Sequence, residues 1–128
     1  MKPRRVNVEG PARLPAFSHS VVAGDFIYVS GTLGVKPNTM ELVEGGTGPE
    51  TSQTLRYIES ILEECGASLN DVVKVSVFLA DIGTFAEMNE AYLNVISSDP
   101  PARITVGGAD LALGAAVEID CIAYKRRE

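Results

Sequence analysis

The chain has 128 residues, of which 45% are apolar and 22% charged, with a formal net charge of -6 and a pI near 4.8. This composition is typical of a globular protein with one core, so we expect residues 1–128 to form a single domain and exclude a largely disordered chain. The acidic balance argues against nucleic acid as the main partner, because phosphate binding needs clustered Lys and Arg.

The strands predicted first along the chain come before any helix. A turn at Gly24-Asp25 joins 20–23 to 26–30, two runs rich in β-branched and aromatic residues that predict a hairpin. Residues 35–43 predict a further turn and a short strand. The Gly-rich segment 44–49 is a loop between elements, too short to link two domains.

Two amphipathic helices follow this loop. Thr47 with Glu50, and Thr84 with Glu87, predict a capping box at the start of each helix, and Gly66 is placed to end the first. The apolar positions that recur at helical spacing are Leu55, Ile58, Ile61, Leu62 and Cys65 in the first helix, and Phe85, Met88, Tyr92, Val95 and Ile96 in the second.

Three more strands complete the pattern. Residues 71–80 alternate between two faces, and 103–107 and 116–124 follow the second helix. The order predicts an α+β fold with two helices on one face of a mixed sheet. The residues of 71–80 that we expect on the packed face are Val73, Val75, Val77 and Leu79.

The sheet face that the helices leave uncovered is also predicted to be apolar. Phe26 and Tyr28 share one side of their strand, and Ile122 and Tyr124 share one side with Glu118. Two helices cover only one side of a sheet. We therefore expect self-association through the other side.

The remaining composition argues against metal and membrane functions. Cys65 and Cys121 lack metal-ligand spacing, and the chain has one histidine, so we expect buried thiols in a reducing compartment and no metal site. No apolar segment is long enough for a signal peptide or a membrane span, so we expect a cytoplasmic protein with no membrane partner. A cleaved organelle-targeting segment is left open.

Two charged residues lie in segments otherwise built for burial. Arg103 follows a Pro-Pro-Ala run and favours a bidentate anion, whereas Glu118 lies among Val and Ile, where a carboxylate needs hydrogen bonds or a counter-charge. One interpretation is a structural ion pair between adjacent strands. In the other, Arg103 clamps a small carboxylate and Glu118 positions or deprotonates a water. The strands of Arg103 and Glu118 would pair if the connection 110–114 folds back on itself. If the residue numbers of each opposed pair then sum to an odd value, Arg103 and Glu118 lie on the same face and both reach one ligand.

Three further residues are candidates for the same site. Ser30 is followed by Gly31, so its hydroxyl and nearby N–H groups can bind an oxygen where the backbone approaches a ligand. Asn89 lies at the edge of the apolar face of the second helix, where an amide needs a backbone or ligand partner.

His19 has no neighbouring nucleophile or second histidine, so we interpret it as structural. The glycines of segments 31–34 and 107–108 lack the spacing of a phosphate-binding loop, so we do not expect nucleotide binding.

The chain resembles the RidA/YjgF family of imine and enamine deaminases over nearly its whole length. The resemblance is carried by 26–31, 72–78, 85–89, 101–103 and 114–119, and the C-terminal block is the most specific part. It implies the chorismate-mutase-like α+β fold with a mixed six-stranded sheet. It also implies a homotrimer with ligand clefts between subunits.

The resemblance assigns roles to five residues. The arginine matching Arg103 holds the substrate carboxylate in that family, and the glutamate matching Glu118 is linked to the attacking water. Residues matching Ser30, Gly31 and Asn89 line the cleft.

Two positions depart from the best-known family pattern, because Phe17 stands where those members carry a Tyr and Thr105 where they carry a cleft Cys. The hypothesis is hydrolysis of a 2-imino acid, such as 2-iminobutanoate, 2-iminopropanoate or the tautomer of 2-aminoacrylate, to a 2-keto acid and ammonia. No cofactor is required, because an iminium carbon is already electrophilic. The alternative is a non-catalytic trimer that binds small carboxylates. An RNA-cleaving enzyme is disfavoured by the acidic charge and the absence of a paired histidine.

Overall fold

The computed structural model describes residues 2–96 and 98–126. Its helices and strands are β1 (Arg4–Val6), β2 (Ser20–Ala23), β3 (Phe26–Thr32), α1 (Thr47–Glu64), β4 (Val72–Leu79), α2 (Phe85–Val95), β5 (Ala102–Val106) and β6 (Val117–Tyr124). Short 3-10 turns cover Leu69–Asp71, Ile82–Thr84 and Ala112–Gly114. These elements form the predicted six-stranded mixed sheet with two helices on one face.

The strands lie in the order β1-β2-β3-β6-β4-β5. Every neighbouring pair is antiparallel except β4 and β5, which are parallel because α2 crosses over the sheet between them. The predicted hairpin of β2 and β3 is confirmed, and its turn places Gly24 at a φ of 61°. Strand β6 is therefore flanked by β3 and β4, and β5 forms an edge.

The core lies between the sheet and the two helices, as the helical and alternating patterns predict. Each side chain of this kind that leaves water contributes about 1.5–3 kcal/mol to folding. The largest fully buried side chains are Ile27, Val35, Leu55, Ile58, Ile61, Leu62, Val75, Val77, Leu79, Met88, Val117 and Ile119.

The opposite face of the sheet, called here the open sheet face, is apolar and exposed, as predicted. The ring centroids of Phe26 and Tyr124 lie 5.3 Å apart across β3 and β6. Its exposed members are Phe26, Tyr28, Ile104, Val106 and Tyr124, with exposed fractions of 41–51%. Within residues 2–96 and 98–126, neither helix has the length and hydropathy that a bilayer crossing requires.

The position predicted for Val73 is wrong. Val73 is 45% exposed, and Val72 takes its place in the core at 7% exposed. The pairing of β4 with β6 shifts register between Val72 and Lys74. An extra residue at such a bulge reverses the alternation on one side of it, which sequence periodicity does not reveal.

Both predicted capping boxes are also wrong. The N-cap of α1 is Gly46, and the carboxylate of Glu50 accepts the Ala116 amide at 2.8 Å. At the start of α2 the Thr84 hydroxyl donates to the Asp81 carbonyl at 2.9 Å. Glu50 therefore binds a backbone amide distant in sequence, Thr84 binds an upstream carbonyl, and neither side chain caps its helix.

Three smaller features remain, of which two differ from the prediction and one agrees with it. The strand predicted within 35–43 is reduced to one isolated bridge between Val35 and Leu42. The edge strand β1 was not predicted, because its Arg-Arg-Val sequence has no alternation to detect. Gly66 ends α1 with a φ of 82°, as predicted.

Candidate functional site

Arg103 lies on the helix-covered side of the sheet. It pairs with Val75 of β4, which in turn pairs with Cys121, and paired residues share a face. The guanidinium reaches α2, where its Nη1 donates to Asn89 Oδ1 at 2.9 Å. Asn89, predicted to need a partner, therefore holds one edge of the guanidinium.

Two aromatic rings of α2 complete the setting of Arg103. Its guanidinium carbon lies 4.7 Å from the ring centroid of Tyr92 and 5.5 Å from that of Phe85. Spacings of three and four along α2 place Asn89 between these rings on one face of the helix. Burial raises the pKa of Tyr92 while the Arg103 charge opposes this, so the phenol stays neutral and the contact is of cation–π type.

Arg103 has no carboxylate partner among the described residues. The one ion pair found there joins Arg56 to Glu59 on the surface of α1. The structural ion pair between Arg103 and Glu118 is therefore wrong. Since Asn89 uses one of five guanidinium N–H donors, others stay available to a bidentate anion.

Thr105 lies on the same side of β5 as Arg103. It pairs with Val77, two residues after the Val75–Arg103 pair, and both β5 residues are half-buried. We call Asn89, Arg103 and Thr105 the arginine half-site. The half-site lies where the edge strand meets α2.

Glu118 projects from the open sheet face. It pairs with Phe78, out of phase with the buried Val117 and Ile119. Its carboxylate lies against Gly31, where an added Cβ would overlap Glu118 Oε2. Gly31 lies within a register shift in the pairing of β3 with β6, between Val29 and Thr32, and the backbone there approaches the carboxylate so closely that a larger residue would displace it.

The electrostatic setting of Glu118 favours its protonated form. Burial raises the pKa of this carboxyl group above the ordinary glutamate range, and the charge of Asp120 raises it further. Asp120 shares the open sheet face because it lies two residues further along β6. A carboxylate of this kind is a stronger base than an ordinary glutamate.

Ser30 contributes an acceptor to the same place. Its hydroxyl donates to the Ser18 carbonyl at 2.6 Å, and its amide donates to the His19 carbonyl at 2.9 Å. The proton of the Ser30 hydroxyl is therefore engaged by the Ser18 carbonyl, whereas the lone pairs of the hydroxyl oxygen can accept a hydrogen bond. Together with Phe17, Gly31 and Glu118, Ser30 makes what we call the glutamate half-site.

The glutamate half-site opens into a pocket of about 420 Å³. The expected residues Phe17, Ser30, Gly31 and Glu118 all line it. Sequence reasoning missed the other lining residues, although the apolar Leu14 and Phe17 in a loop were a signal of ligand contact. These are Ala12, Arg13, Leu14, Leu33, Met40, Ala112 and Leu113.

The structure does not bring the two half-sites together within one chain. The predicted pairing of the Arg103 and Glu118 strands is wrong, because β4 lies between β5 and β6. Arg103 is in phase with Val75 and Glu118 with Phe78, three residues apart on β4 and hence on opposite faces. One small molecule cannot touch both through the sheet.

His19 is structural, as predicted. It is 4% exposed, its Nδ1 accepts the Val8 amide at 3.0 Å, and its Nε2 faces the Ala12 carbonyl at 3.3 Å. Because Nδ1 accepts, the proton resides on Nε2. Burial lowers the pKa of His19, so the ring stays neutral and both nitrogens are occupied.

The cysteines are buried and form no disulfide, as expected. Burial first, and the Asp120 charge second, raise the pKa of Cys121 to about 12, so its sulfur is an unreactive thiol. Across the part of the chain that the structure describes, no group of His, Cys, Asp or Glu is arranged to hold a metal ion.

Comparisons with known proteins show which family the sequence and the fold resemble. A family model described as endoribonuclease L-PSP matches residues 9–125. A RutC family protein of Pyrococcus abyssi is 40% identical over 117 residues, covering 91% of this chain and 92% of its own. A 2-iminobutanoate/2-iminopropanoate deaminase of Rattus norvegicus is 38% identical over 117 residues, covering 91% and 85%. The crystal structure of RidA from an Antarctic Psychrobacter is 43% identical, with a TM-score of 0.84 over 90% of this chain and 93% of that one.

Proposed function

The chain belongs to the RidA/YjgF family, whose sequence model carries the description endoribonuclease L-PSP, and we propose that it hydrolyses reactive 2-imino acids to 2-keto acids and ammonia. The observation that carries the proposal is the guanidinium of Arg103. It is held by Asn89 and two aromatic rings, and no carboxylate among the described residues neutralises it. The basic carboxylate of Glu118 supplies the second group that the reaction needs.

In this proposal each active site combines half-sites from two subunits. The half-sites of one chain lie on opposite sheet faces, so one imino acid contacts both kinds only if they come from different copies. The open sheet face offers the apolar surface for such an association. A closed trimer, the assembly that the family resemblance implies, gives each chain one neighbour for its arginine half-site and another for its glutamate half-site.

Arg103 then acts as the clamp on the substrate. Its free N–H donors bind the carboxylate of the imino acid in a bidentate contact, while Asn89 and the rings of α2 fix its orientation. The neighbouring subunit's Ser30 oxygen accepts an N–H of the iminium. These two contacts place the imine carbon beside Glu118.

Glu118 acts as the general base. It takes a proton from a water molecule while the water oxygen adds to the imine carbon, and the C=N electron pair moves to nitrogen. The proton passes from Glu118 to that nitrogen. Glu118 then removes the hydroxyl proton of the adduct as the C–N bond breaks and the C=O bond of the keto acid forms, and it passes this proton to the departing ammonia, which leaves as ammonium. General-base help of this kind contributes about a hundred- to ten-thousand-fold.

The test generates an imino acid in place with an L-amino acid oxidase and traps it with semicarbazide. Purified protein that hydrolyses the imine lowers the yield of semicarbazone and raises the yield of keto acid. We expect this decrease with the wild-type chain. An unchanged yield at every protein concentration would contradict the proposal.

The second candidate is a non-catalytic trimer that binds small carboxylates. It is favoured by the hydroxyl proton of Ser30, which is donated to the Ser18 carbonyl, and by Phe17, whose side chain has no hydrogen-bonding group. Such a protein would bind a 2-keto acid in calorimetry but would not accelerate the hydrolysis of any imine. The deaminase, by contrast, loses turnover in Glu118→Gln and keeps carboxylate binding.

RNA cleavage, which the description of the family model names, is not the proposal. The chain carries a net charge of -6, and its one histidine has both ring nitrogens engaged by backbone groups. We expect no cleavage of single-stranded RNA at any salt concentration.

A further inference from the structure

We propose that the pocket beside Glu118 receives the substrate side chain, and that the enzyme prefers 2-imino acids with long apolar side chains. This inference rests on the proposed function and specifies its substrate class. Imines derived from leucine and methionine belong to this class. The imine derived from alanine, with a single methyl group, does not.

The apolar part of the pocket is continuous with the glutamate half-site. Leu14, Met40 and Leu113 line the same cavity as Glu118, and they are 53%, 48% and 44% exposed. Large apolar side chains that stay this exposed around one cavity are typical of a wall that a ligand covers. A methyl group is too short to cover three such side chains.

The size of the pocket agrees with a larger ligand. Its volume of about 420 Å³ has room for several water molecules. Pockets of about 300–1,000 Å³ are typical of sites that enclose sizeable small molecules. A three-carbon imino acid leaves most of this space to water, whereas a leucine or methionine side chain displaces that water and buries apolar surface.

The bonds of the imine carbon give the side chain one direction. This planar carbon bears a carboxylate, a nitrogen and the side chain. Arg103 of the adjacent subunit takes the carboxylate, and the Ser30 oxygen takes the nitrogen. The third substituent therefore faces the remaining wall of the pocket, which Leu14, Met40 and Leu113 form.

Among the described residues, Arg13 is the one cation that lines the pocket, and it extends the apolar wall. Its Nη1 donates to the Phe17 carbonyl at 3.4 Å, which directs the charge toward the loop that carries Phe17. Its aliphatic stem then faces the cavity. The alternative use of Arg13, as a partner for a second carboxylate at the far end of the substrate, is an explicit arm of the test.

The experiment measures kcat/KM for imines generated from alanine, leucine, methionine and glutamate at matched oxidase flux. We expect the leucine- and methionine-derived imines to exceed the alanine-derived imine by about ten-fold or more, because each methylene in an apolar pocket changes kcat/KM by about that factor. In the double variant Leu14→Ala/Met40→Ala, the leucine-to-alanine ratio falls toward one. Leu93→Ala, an equally exposed leucine on α2, leaves the ratio unchanged.

The outcomes separate the two proposals. An alanine-derived imine that is hydrolysed as well as the leucine-derived imine overturns the side-chain pocket and leaves the deaminase standing. A glutamate-derived imine that is hydrolysed best also overturns it and assigns Arg13 to a distal carboxylate. A chain that accelerates none of the four imines overturns the deaminase and this inference with it. Circular dichroism melting of the double variant verifies that it is folded.

Discussion

Arg103 and Glu118 project from opposite faces of one sheet, and strand β4 separates the strands that carry them. Each has its own surroundings: aromatic rings and an amide of α2 around Arg103, and the backbone of Gly31 against Glu118. They neither neutralise each other nor share a ligand within one chain. A function that uses both residues therefore requires at least two copies of the chain.

Substitution of Arg103 should remove the clamp on the substrate. Arg103→Ala should lower kcat/KM by a hundred-fold or more, and Arg103→Lys should recover little of it, because an ammonium group is a point charge without the bidentate geometry. The semicarbazide competition assay measures both. Arg56→Ala, which removes an exposed arginine from α1, is the matched control and should retain full activity. Wild-type kcat/KM in Arg103→Ala would show that the clamp is assigned wrongly.

Gly31→Ala should displace the carboxylate of Glu118. The new Cβ would overlap Glu118 Oε2, so the side chain must rotate away from its position beside the pocket. We expect a loss of kcat/KM of about a hundred-fold, the size of a lost general base, with little change in the melting temperature. Gly48→Ala provides the control, because a Cβ there meets nothing within 4 Å. Equal activity of the two variants would argue against a role for Glu118 in the reaction.

The pH dependence of kcat/KM should follow the ionisation of Glu118. Activity requires the carboxylate, so kcat/KM rises with pH through a midpoint above the ordinary glutamate range, because burial and then the Asp120 charge raise the pKa of Glu118. Asp120→Asn removes the like charge, lowers that pKa and moves the acid limb to lower pH. Glu63→Gln, an exposed charge on α1, leaves the limb in place. An acid limb that Asp120→Asn does not move would show that another group is titrating.

Glu50 should affect stability in a pH-dependent way. It is 4% exposed, burial raises its pKa, and its Oε1 accepts the Ala116 amide. A raised pKa means that the fold disfavours the ionised form, so this contribution to stability is complete below the unfolded-state pKa and is lost as pH rises through the folded-state pKa. Glu50→Gln, which keeps the acceptor without the charge, should therefore gain stability relative to wild type at about pH 8 compared with about pH 4.

The matched variant Glu50→Ala isolates the hydrogen bond. It leaves the Ala116 amide without its acceptor and should cost about 1–3 kcal/mol of the free energy of unfolding at about pH 4. The cost should be smaller at about pH 8, where the wild-type protein has lost the pH-dependent contribution of Glu50. Urea unfolding measures the stability of both variants. The protein concentration is held fixed, because assembly contributes to the apparent stability. A Glu50→Gln variant whose stability relative to wild type falls between about pH 4 and about pH 8 would reverse the assigned direction.

Local patterns in the sequence predicted most of the elements and their layering, but not the order of the strands or the long-range contacts. The apolar stripe that includes Met88 and Tyr92 was sufficient to predict α2, because burial on one face leaves a period of 3.6 residues. The bulge that exchanges Val72 and Val73 depends on pairing with β6, and the buried use of Glu50 depends on Ala116, 66 residues away. Contacts at such distances leave no periodic signal in one chain.

The residues of both half-sites were predicted from the sequence, but their relative positions were not. The charges of Arg103 and Glu118 in apolar segments marked them as candidates, whereas their separation onto opposite faces depends on β4 lying between their strands. Strand order is a property of the whole sheet, so the pairing predicted from adjacency in the chain was wrong. The apolar wall of Leu14, Met40 and Leu113 comes from three separate loops and was not predicted.

Subunit complementation tests the central claim most directly. Arg103→Ala and Glu118→Gln chains, each with its own affinity tag, are coexpressed, and trimers that contain both are purified through the two tags. We expect each variant alone to be inactive, whereas in the proposed closed trimer every mixed assembly has one interface at which an intact arginine half-site meets an intact glutamate half-site. We therefore predict about a third of the wild-type activity in mixed trimers. Mixed trimers that are no more active than either parent would contradict an active site shared between two chains.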